Sequence, residues 1–543
     1  MRNKAVNLAK RHWALLVAIA FFWLAIGILL IRVMAVSGGQ IVYGLDDPYI
    51  HMAMARNLAQ HGVWGVTAYE FSSSSSSPLW TLFLASVYFV TGAREVTPLI
   101  LNVIFATFLL VAVYWIYSKS SMVLYQSYLF VALLVMTFVL PLPTLTLIGM
   151  DTTLQVLIDV LFVYLVAKEL SKEKALWLDR PFSLLLLMAL LTVIVRYEGV
   201  FLVFGALMLF VLRRRWLLSA TMAVMALLPL GIIGLISTAN GNLWLPNSVL
   251  TKAGGQDLTS YAGISNRLWQ FYQQFLQYPA YIYLLIAALL FYAYRYGPGK
   301  GFWERGQLMI TMFVIAVISH LAFIQIADFF RYDAYLIALG LFVLIPVVFE
   351  TFFKSVRMKA ELIPKYAVIA MLCLLVIVPL EQRGNFGFRY TPQASRNIYE
   401  QQYQMGLFLQ QYYRGASVAA NDVGAINYLA AIRCVDLMGL GNAEVARERL
   451  SGKFNTAAIS NITISKGVKI AIVYDDWFIN DESLPQRWKL AGRWRIFNNV
   501  ACGGEVVSFY AVDPAEESRL KTNLKEFSTR LPVNVQQSGK YTQ

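Results

Sequence analysis

The run WALLVAIAFFWLAIGILLIRVMA (residues 13–35) is followed, after a short break, by GLDDPYIHMAMARNLAQHG (44–62). The first segment is apolar except for Arg32 near its end, and it exceeds the roughly 20 residues needed to cross a bilayer as a helix. Arg2, Lys4, Lys10 and Arg11 precede it, which keeps the N-terminus on the cytoplasmic side. No small-residue cleavage site follows, so the run reads as a retained span and not as a removed signal peptide. The second segment opens with Asp46, Asp47 and Pro48, a helix start with two carboxylates, delivered to the far side of the membrane.

The rest of the chain repeats this plan. Of 543 residues 58% are hydrophobic and 14% charged, with a mean hydropathy of +0.58, whereas a soluble domain carries about 25% charged residues. The net charge is +14, but the basic residues bunch in short loops between apolar runs. That pattern orients a membrane protein and disfavours a nucleic-acid surface. Three cysteines without paired ligand spacing and four scattered histidines give no zinc site. Further spans are expected over 97–117, 122–140, 150–167, 182–196, 199–212, 216–238, 279–294, 307–326, 333–352 and 366–381, about eleven in all. The basic loops around Lys168–Lys174, Arg213–Arg215, Arg295–Arg305 and Lys354–Lys365 then alternate correctly and put residues 382–543 outside. LWTLFLASVYFVT (79–91) is too short to cross, and a crossing would turn every later basic loop outward. It is expected to lie in the interface or re-enter.

With sidedness fixed, five polar clusters fall on the outer face: 44–62 with the serine run 72–77, LIGMDTT (147–153), RYEG (196–199), LWLPNSVLTKAGG (243–255) and FFRYDAY (329–335). Charges at a membrane boundary are costly unless solvated, paired or used, so their convergence suggests a polar cavity opening outward. Asp46 and Asp47 are the catalytic candidates, one of them a general base; the alternative is that an Asp caps the helix beginning there. Arg331, Lys252 and Arg196 are the cations suited to an anionic phosphate, Arg by a bidentate fork and Lys as a point charge; each could instead be a snorkelling anchor. His51, Arg56, Asp151, Glu198, Asn247, Tyr332 and Asp333 are secondary substrate-binding candidates.

These motifs carry a resemblance. GLDDPYIHMAMARNLAQHG with SSPLWTL downstream resembles the first external loop of the GT-C superfamily of integral-membrane glycosyltransferases, and DPYIH is similar to the matching motif of oligosaccharyltransferase catalytic subunits. LIGMDTTL, RYEG, LPNSVLTKAG, FFRYDAYL and VAANDVGAINYLA (418–430) are similar in order to motifs of bacterial members related to terminal arabinofuranosyltransferases. Asp151 and RYEG depart from the commoner Glu and R-P-E but keep the charge. No W-W-D-type motif is present, which disfavours transfer of a whole oligosaccharide to asparagine.

The resemblance implies a polytopic α-helical membrane protein of GT-C type, with a transmembrane domain over 1–381 and an extracytoplasmic α/β domain over 382–543. It implies a glycosyltransferase of the bacterial inner membrane. Such an enzyme moves one sugar, with inversion, from a polyprenyl-phosphate carrier to a hydroxyl of a cell-envelope glycan, lipid or protein. Asp46 and Asp47 would be catalytic, with Arg331 and Lys252 at the donor phosphate. Carboxylates beside a phosphate would suit a divalent cation, Mg or Mn, and the sequence does not decide for or against one. A lipid-linked-saccharide flippase or a non-catalytic assembly protein are the alternatives; the one-sided polar residues and the lack of an internal repeat disfavour the flippase.

In the C-terminal segment, 416–422, 434–438, 467–476 and 505–512 read as short buried strands. Asp475 and Asp476 read as a loop-end pair, and Asn421 and Asp422 as caps for the helix that follows. The Gly439–Gly441 pair lacks the rest of a nucleotide fingerprint. Cys434 and Cys502 are candidates for a disulfide, and residues 513–543 are expected to be poorly ordered.

Overall fold

The computed structural model describes residues 2–119, 125–173, 180–252, 261–296, 301–324, 328–356 and 363–542. In chain order the helices are α1 (Arg2–Val36), α2 (Asp47–His61), α3 (Pro78–Thr91), α4 (Thr97–Ser118), α5 (Gln126–Phe138), α6 (Leu142–Ile148), α7 (Thr152–Leu170) and α8 (Arg180–Val195). There follow α9 (Gly199–Leu212), α10 (Trp216–Ala239), α11 (Asn247–Lys252), α12 (Tyr261–Gln277), α13 (Pro279–Tyr296), α14 (Arg305–Phe323), α15 (Ala334–Val356) and α16 (Ile363–Ile398). After a π-helical turn at Tyr399–Tyr403 come α17 (Gln404–Tyr412), α18 (Ala425–Leu429), α19 (Ala443–Leu450), α20 (Thr456–Ser465) and α21 (Glu517–Phe527). The strands are β1 (Ser417–Ala420), β2 (Arg433–Asp436), β3 (Ile470–Val473), β4 (Lys489–Arg495), β5 (Val506–Ala511) and β6 (Gln536–Gly539).

Each window expected to span contains a helix. Among the described residues, Lys10–Val36, Thr97–Ser118, Gln126–Ile148, Trp216–Ala239 and Arg305–Phe323 are long and apolar enough to cross a membrane. The pair Gly263–Gln277 and Pro279–Ala293 qualifies together but bends by 87°, at a point where Pro279 supplies no amide and restricts Tyr278 before it. The chain is a multi-pass helical membrane protein. Helix α3, at 14 residues, rises only about 21 Å at 1.5 Å per residue, short of a hydrocarbon core of about 30 Å. Its end leaves Phe89 and Val90 exposed.

The chain divides into two compact units. The first comprises Met1–Leu29, Leu99–Leu230 and Gln256–Arg389. Its centre is α7, buried along most of its length and packed against α8, α14 and α15. Gly149, at φ +77°, ends α6 in a left-handed turn that suits glycine. That turn sets Asp151 at the head of α7.

The second unit comprises Leu30–Pro98, Gly231–Gly255 and Tyr390–Gln543. It extends beyond residues 382–543, because residues 30–98 and 231–255 belong to it. No loop breaks the chain near 381; α16 runs unbroken from Ile363 to Ile398. The sheet order is β2-β1-β3-β5-β4-β6. Strands β1–β2 and β1–β3 are parallel, and β3–β5, β5–β4 and β4–β6 antiparallel. Alternation assigns the faces. Val418, Ala420, Ile470 and Ile472 join a core with α17, α18 and α21. Ala419, Ala471 and Val473 face Val445, Ile459 and Ile462 of α19 and α20.

Two expectations are corrected here. Residues 513–542 are ordered: Leu520, Leu524 and Phe527 lie on one face of α21 and are buried in the first core, and β6 adds the sixth strand. No disulfide forms. Cys434 is a buried free thiol on β2, and the Cys502 thiol donates to Gln402 Oε1 at 3.1 Å. Asp475, at the end of β3, accepts from Ser508, Tyr510 and Arg493 at 2.8–3.1 Å.

Candidate active site

In the second unit, Asp46 occupies the N-cap position of α2, yet its side chain does not cap that helix. The carboxylate is turned to α18: Oδ2 accepts from the Gly424 amide at 2.7 Å and Oδ1 from the Ala425 amide at 2.8 Å. The expectation that an Asp caps α2 is corrected for Asp46, because its carboxylate meets the first amides of α18 instead. Gly424 permits the approach. A Cβ there would meet Asp46 Cγ and Oδ2 at 2.7 Å.

The other end of α18 is held from the same helix. Arg56 donates to the carbonyls of Tyr428 and Asn427, the latter at 3.0 Å, and to Asn57 Oδ1 at 3.2 Å. Asn57 in turn closes the loop after α2, donating to Gly65 O and Val66 O at 2.9 Å each. Arg56 is thus engaged with backbone carbonyls.

Asp422 does not cap α18 as expected. Its Oδ2 accepts from Gln402 Nε2 at 2.8 Å and lies 2.8 Å from the Tyr474 hydroxyl, which is also 2.6 Å from Gln401 Oε1. The single hydroxyl hydrogen serves one of these at a time. The π-helical turn brings Gln401 and Gln402 round to this cluster, a local winding common at functional sites. Asn421 accepts from the Tyr474 amide at 3.1 Å.

Burial, then the charge of Asp422, raises Asp46 above the ordinary carboxylate range, opposed by the two α18 amides. Burial also raises Asp422, with Gln402 and Tyr474 opposing and the charge of Asp47 adding to the rise. Asp46, Asp47 and Asp422 therefore form one electrostatic group. Asp47 is half-buried in the first turn of α2.

The remaining candidates of this unit lie along the serine run. His51 contacts Thr81 Oγ1 at 3.0 Å and Ser76 Oγ at 3.4 Å. The Asn247 amide nitrogen donates to Ser73 O at 3.0 Å, and its side chain to Leu440 O at 3.4 Å. Ser74 donates to the same Leu440 carbonyl at 2.8 Å. The loop bearing Leu440 wraps Asp436, which accepts from the Met438 and Gly441 amides at 2.8 and 2.6 Å. Burial nevertheless pushes Asp436 up to about 6. Lys252 ends α11, and its side chain lies outside the described residues.

The first unit holds the other candidates. Arg196 is fully buried, with Asp151 Oδ1 at 3.5 Å and Glu198 Oε2 at 3.4 Å. It donates to the Arg331 carbonyl at 2.9 Å, so its fork is already in use. Tyr332 has the guanidinium carbons of Arg196 and Arg331 each 5.0 Å from its ring centre, a cation–π arrangement. Arg331 follows Phe329 and Phe330, both with left-handed φ (52° and 66°), a strained backbone for bulky residues. Asp333 is buried and pairs with Arg383 and Tyr281.

The structure adds Asp422, Gly424, Gln402 and Tyr474 to the surroundings of Asp46 and Arg383 and Tyr281 to those of Asp333, none of which the sequence singled out as a site residue. The NDVG run beside the expected strand was the available signal for the first. Among the described residues, no group of three or more His, Cys, Asp or Glu is placed to hold a metal ion.

Residues 396–510 match a domain of unknown function, DUF8728. A comparison with curated proteins finds no match. Among solved structures the chain is similar to the Archaeoglobus fulgidus oligosaccharyltransferase in its apo form (TM-score 0.52, 13% identity, covering 97% of this chain and 76% of that one). It is similar also to ArnT from Cupriavidus metallidurans, solved bound to undecaprenyl phosphate (TM-score 0.50, 11% identity, 91% and 98%). At these identities the likeness is one of fold: the chain shares its fold with these two proteins.

Proposed function

We propose that the chain is an inverting glycosyltransferase of a bacterial inner membrane, taking one sugar from a polyprenyl-phosphate carrier. It passes the sugar to a hydroxyl of a cell-envelope glycan, lipid or protein on the periplasmic face. The observation that carries this reading is the Asp46–Asp47 carboxylate pair at the head of α2, grouped with Asp422 in a polar, largely buried setting within a chain of GT-C fold. The undecaprenyl phosphate bound to the ArnT structure supports a lipid-phosphate donor.

The chemistry needs no protein nucleophile. One carboxylate of the pair takes the acceptor hydroxyl's proton as its oxygen attacks the sugar's anomeric carbon. The bond from that carbon to the phosphate oxygen breaks, and its electron pair leaves with the polyprenyl phosphate. Attack opposite the leaving group inverts the anomeric centre. A positioned base contributes roughly 10²–10⁴-fold. Arg331 and Lys252 meet the phosphate charge. Arg196, committed to Asp151 and Glu198, acts by holding the Arg331 backbone. Asn247 and His51 hold the serine run, and in the first unit Tyr332 and Asp333 flank Arg331 in sequence.

Incubating purified protein with a panel of polyprenyl-phosphate sugars and an envelope extract tests the reading. Release of free polyprenyl phosphate together with an inverted glycosidic product is expected, and Arg331→Ala should raise the KM for donor. No release from any donor would contradict the proposal.

A further inference from the structure

We propose that α12 lies flat in the headgroup layer of the membrane, on the side from which α13 enters, with a row of apolar side chains turned into lipid. This is a membrane-contact surface, and it holds whatever reaction the chain carries out.

Helix α12 has 17 residues and carries Asn266, Arg267, Gln270, Gln273, Gln274 and Gln277. That many strongly polar side chains make it too costly to place in the hydrocarbon core. Nor is it needed to complete a crossing. Helix α13, with 18 residues, rises about 27 Å at 1.5 Å per residue and nearly matches a core of about 30 Å unaided. The 87° bend between the two helices therefore turns α12 into the plane of the membrane that α13 crosses.

The roll of α12 about its own axis is a second, independent observation. At 3.6 residues per turn its side chains fall into three sectors. On one side Gly263 and Gln274 are buried, and Gln274 Nε2 donates to the Leu321 carbonyl at 3.5 Å. Leu321 lies in the last turn of α14, where the carbonyls lack partners within the helix. A second sector, Asn266, Gln273 and Gln277, is polar and exposed. In the third, Ile264, Leu268, Tyr272 and Leu276 stand four apart with Trp269 beside them. These five are 47–64% exposed, and only Ser265 interrupts them.

An amphipathic helix on a soluble protein turns its apolar stripe toward the core; α12 turns its stripe away from the bundle. The character of the stripe and its continuation name what covers it. The Trp269 and Tyr272 rings lie 5.5 Å apart, and these residue types collect where hydrocarbon meets headgroups. Leu276, at the end of the row, is three residues from Pro279, and α13 continues outward-facing with Ile286, Leu289 and Leu290 exposed. A polar face opposite an apolar one, on a helix lying across a span, is the arrangement of an interfacial helix. Arg267 is the one charged side chain on α12, so the contact is with the apolar edge of the interface and an uncharged bilayer suffices.

Two measurements on the full chain in phosphatidylcholine bilayers test this. In the first, a nitroxide is attached to Asn266→Cys, Leu268→Cys, Tyr272→Cys, Gln273→Cys and Leu276→Cys in turn, with wild type and its native thiols as background. Collision with oxygen, which concentrates in lipid, should exceed collision with an aqueous nickel chelate at 268, 272 and 276. The order should reverse at 266 and 273. The second needs no substitution: a carbene probe dissolved in the bilayer and activated by light should label wild type at Leu268, Trp269 and Tyr272 and spare Gln273. Nickel exceeding oxygen along the apolar row, without carbene labelling, would place α12 in water and overturn the proposal. Exclusion of both reagents from the row would mean that protein covers it, a second copy or another chain, and would overturn the lipid assignment equally.

Discussion

The amide of Gly424 lies 2.7 Å from Asp46 Oδ2, although 378 residues separate the two in the chain. The contact is tight enough that any side chain at 424 must displace the carboxylate. Gly424→Ala is therefore expected to cost about 1–3 kcal/mol by overpacking and to lower turnover. Thermal unfolding of the purified protein beside an activity assay checks both.

Arg196 carries a different prediction. It is fully buried with Asp151 and Glu198 as partners. Removing its charge takes the cation away from two carboxylates, and breaking a buried ion pair costs about 3–5 kcal/mol. Arg196→Met should fold poorly, and Arg196→Met with Glu198→Gln should recover part of the loss. Equal stability of Arg196→Met and wild type would show that the carboxylates do not depend on it.

Asp436 predicts a pH dependence. Burial raises it from 3.8 to about 6, and the side chain is 1% exposed. A raised carboxyl favours folding in its protonated form. Its contribution is full below the ordinary value near 4 and is lost as pH rises through about 6; it amounts to about 3 kcal/mol at 1.36 kcal/mol per unit. Denaturant midpoints measured from pH 4 to 7 should fall with this slope in wild type and fall less steeply in Asp436→Asn.

The last prediction concerns the C-terminal residues. Phe527 is buried, stacked on Trp494 at 5.8 Å and 14°, with Phe408 edge-on at 5.6 Å. Phe527→Ala should cost about 3–5 kcal/mol, and a chain ending at 512 should lose the cooperative unfolding of the sheet. Unaltered melting of either variant would mean that α21 does not support the sheet.

What could be read from the sequence follows the range of the interactions. The spans were legible because each is a local apolar run, and β1, β2, β3 and β5 because they are short buried runs bounded by polar residues. The acidic pair at 46 and 47 announced its chemistry through residue type alone. Its partner did not, since α18 has Asp422 close by as a local cap candidate and only the fold brings Asp46 nearer. Arg196 reads from the sequence as an outward-facing cation; that it is buried depends on α7 and on the Arg331 backbone. The tail misled by composition: its charged residues hide Leu520, Leu524 and Phe527, whose i, i+4, i+7 spacing was present all along. Strands β4 and β6 were missed because β4 is rich in charge and β6, at the sheet edge, is polar and largely exposed.

The most direct test of the central claim is transfer of radiolabelled sugar from polyprenyl-phosphate donors by the purified protein, with Asp46→Asn and Asp47→Asn alongside. The account predicts label in an envelope acceptor with wild type, and loss of at least 99% of it in one of the two folded variants, from the roughly 10²-fold lower bound for a positioned base. Label transferred equally well by both variants, or by no protein from any donor, would contradict it.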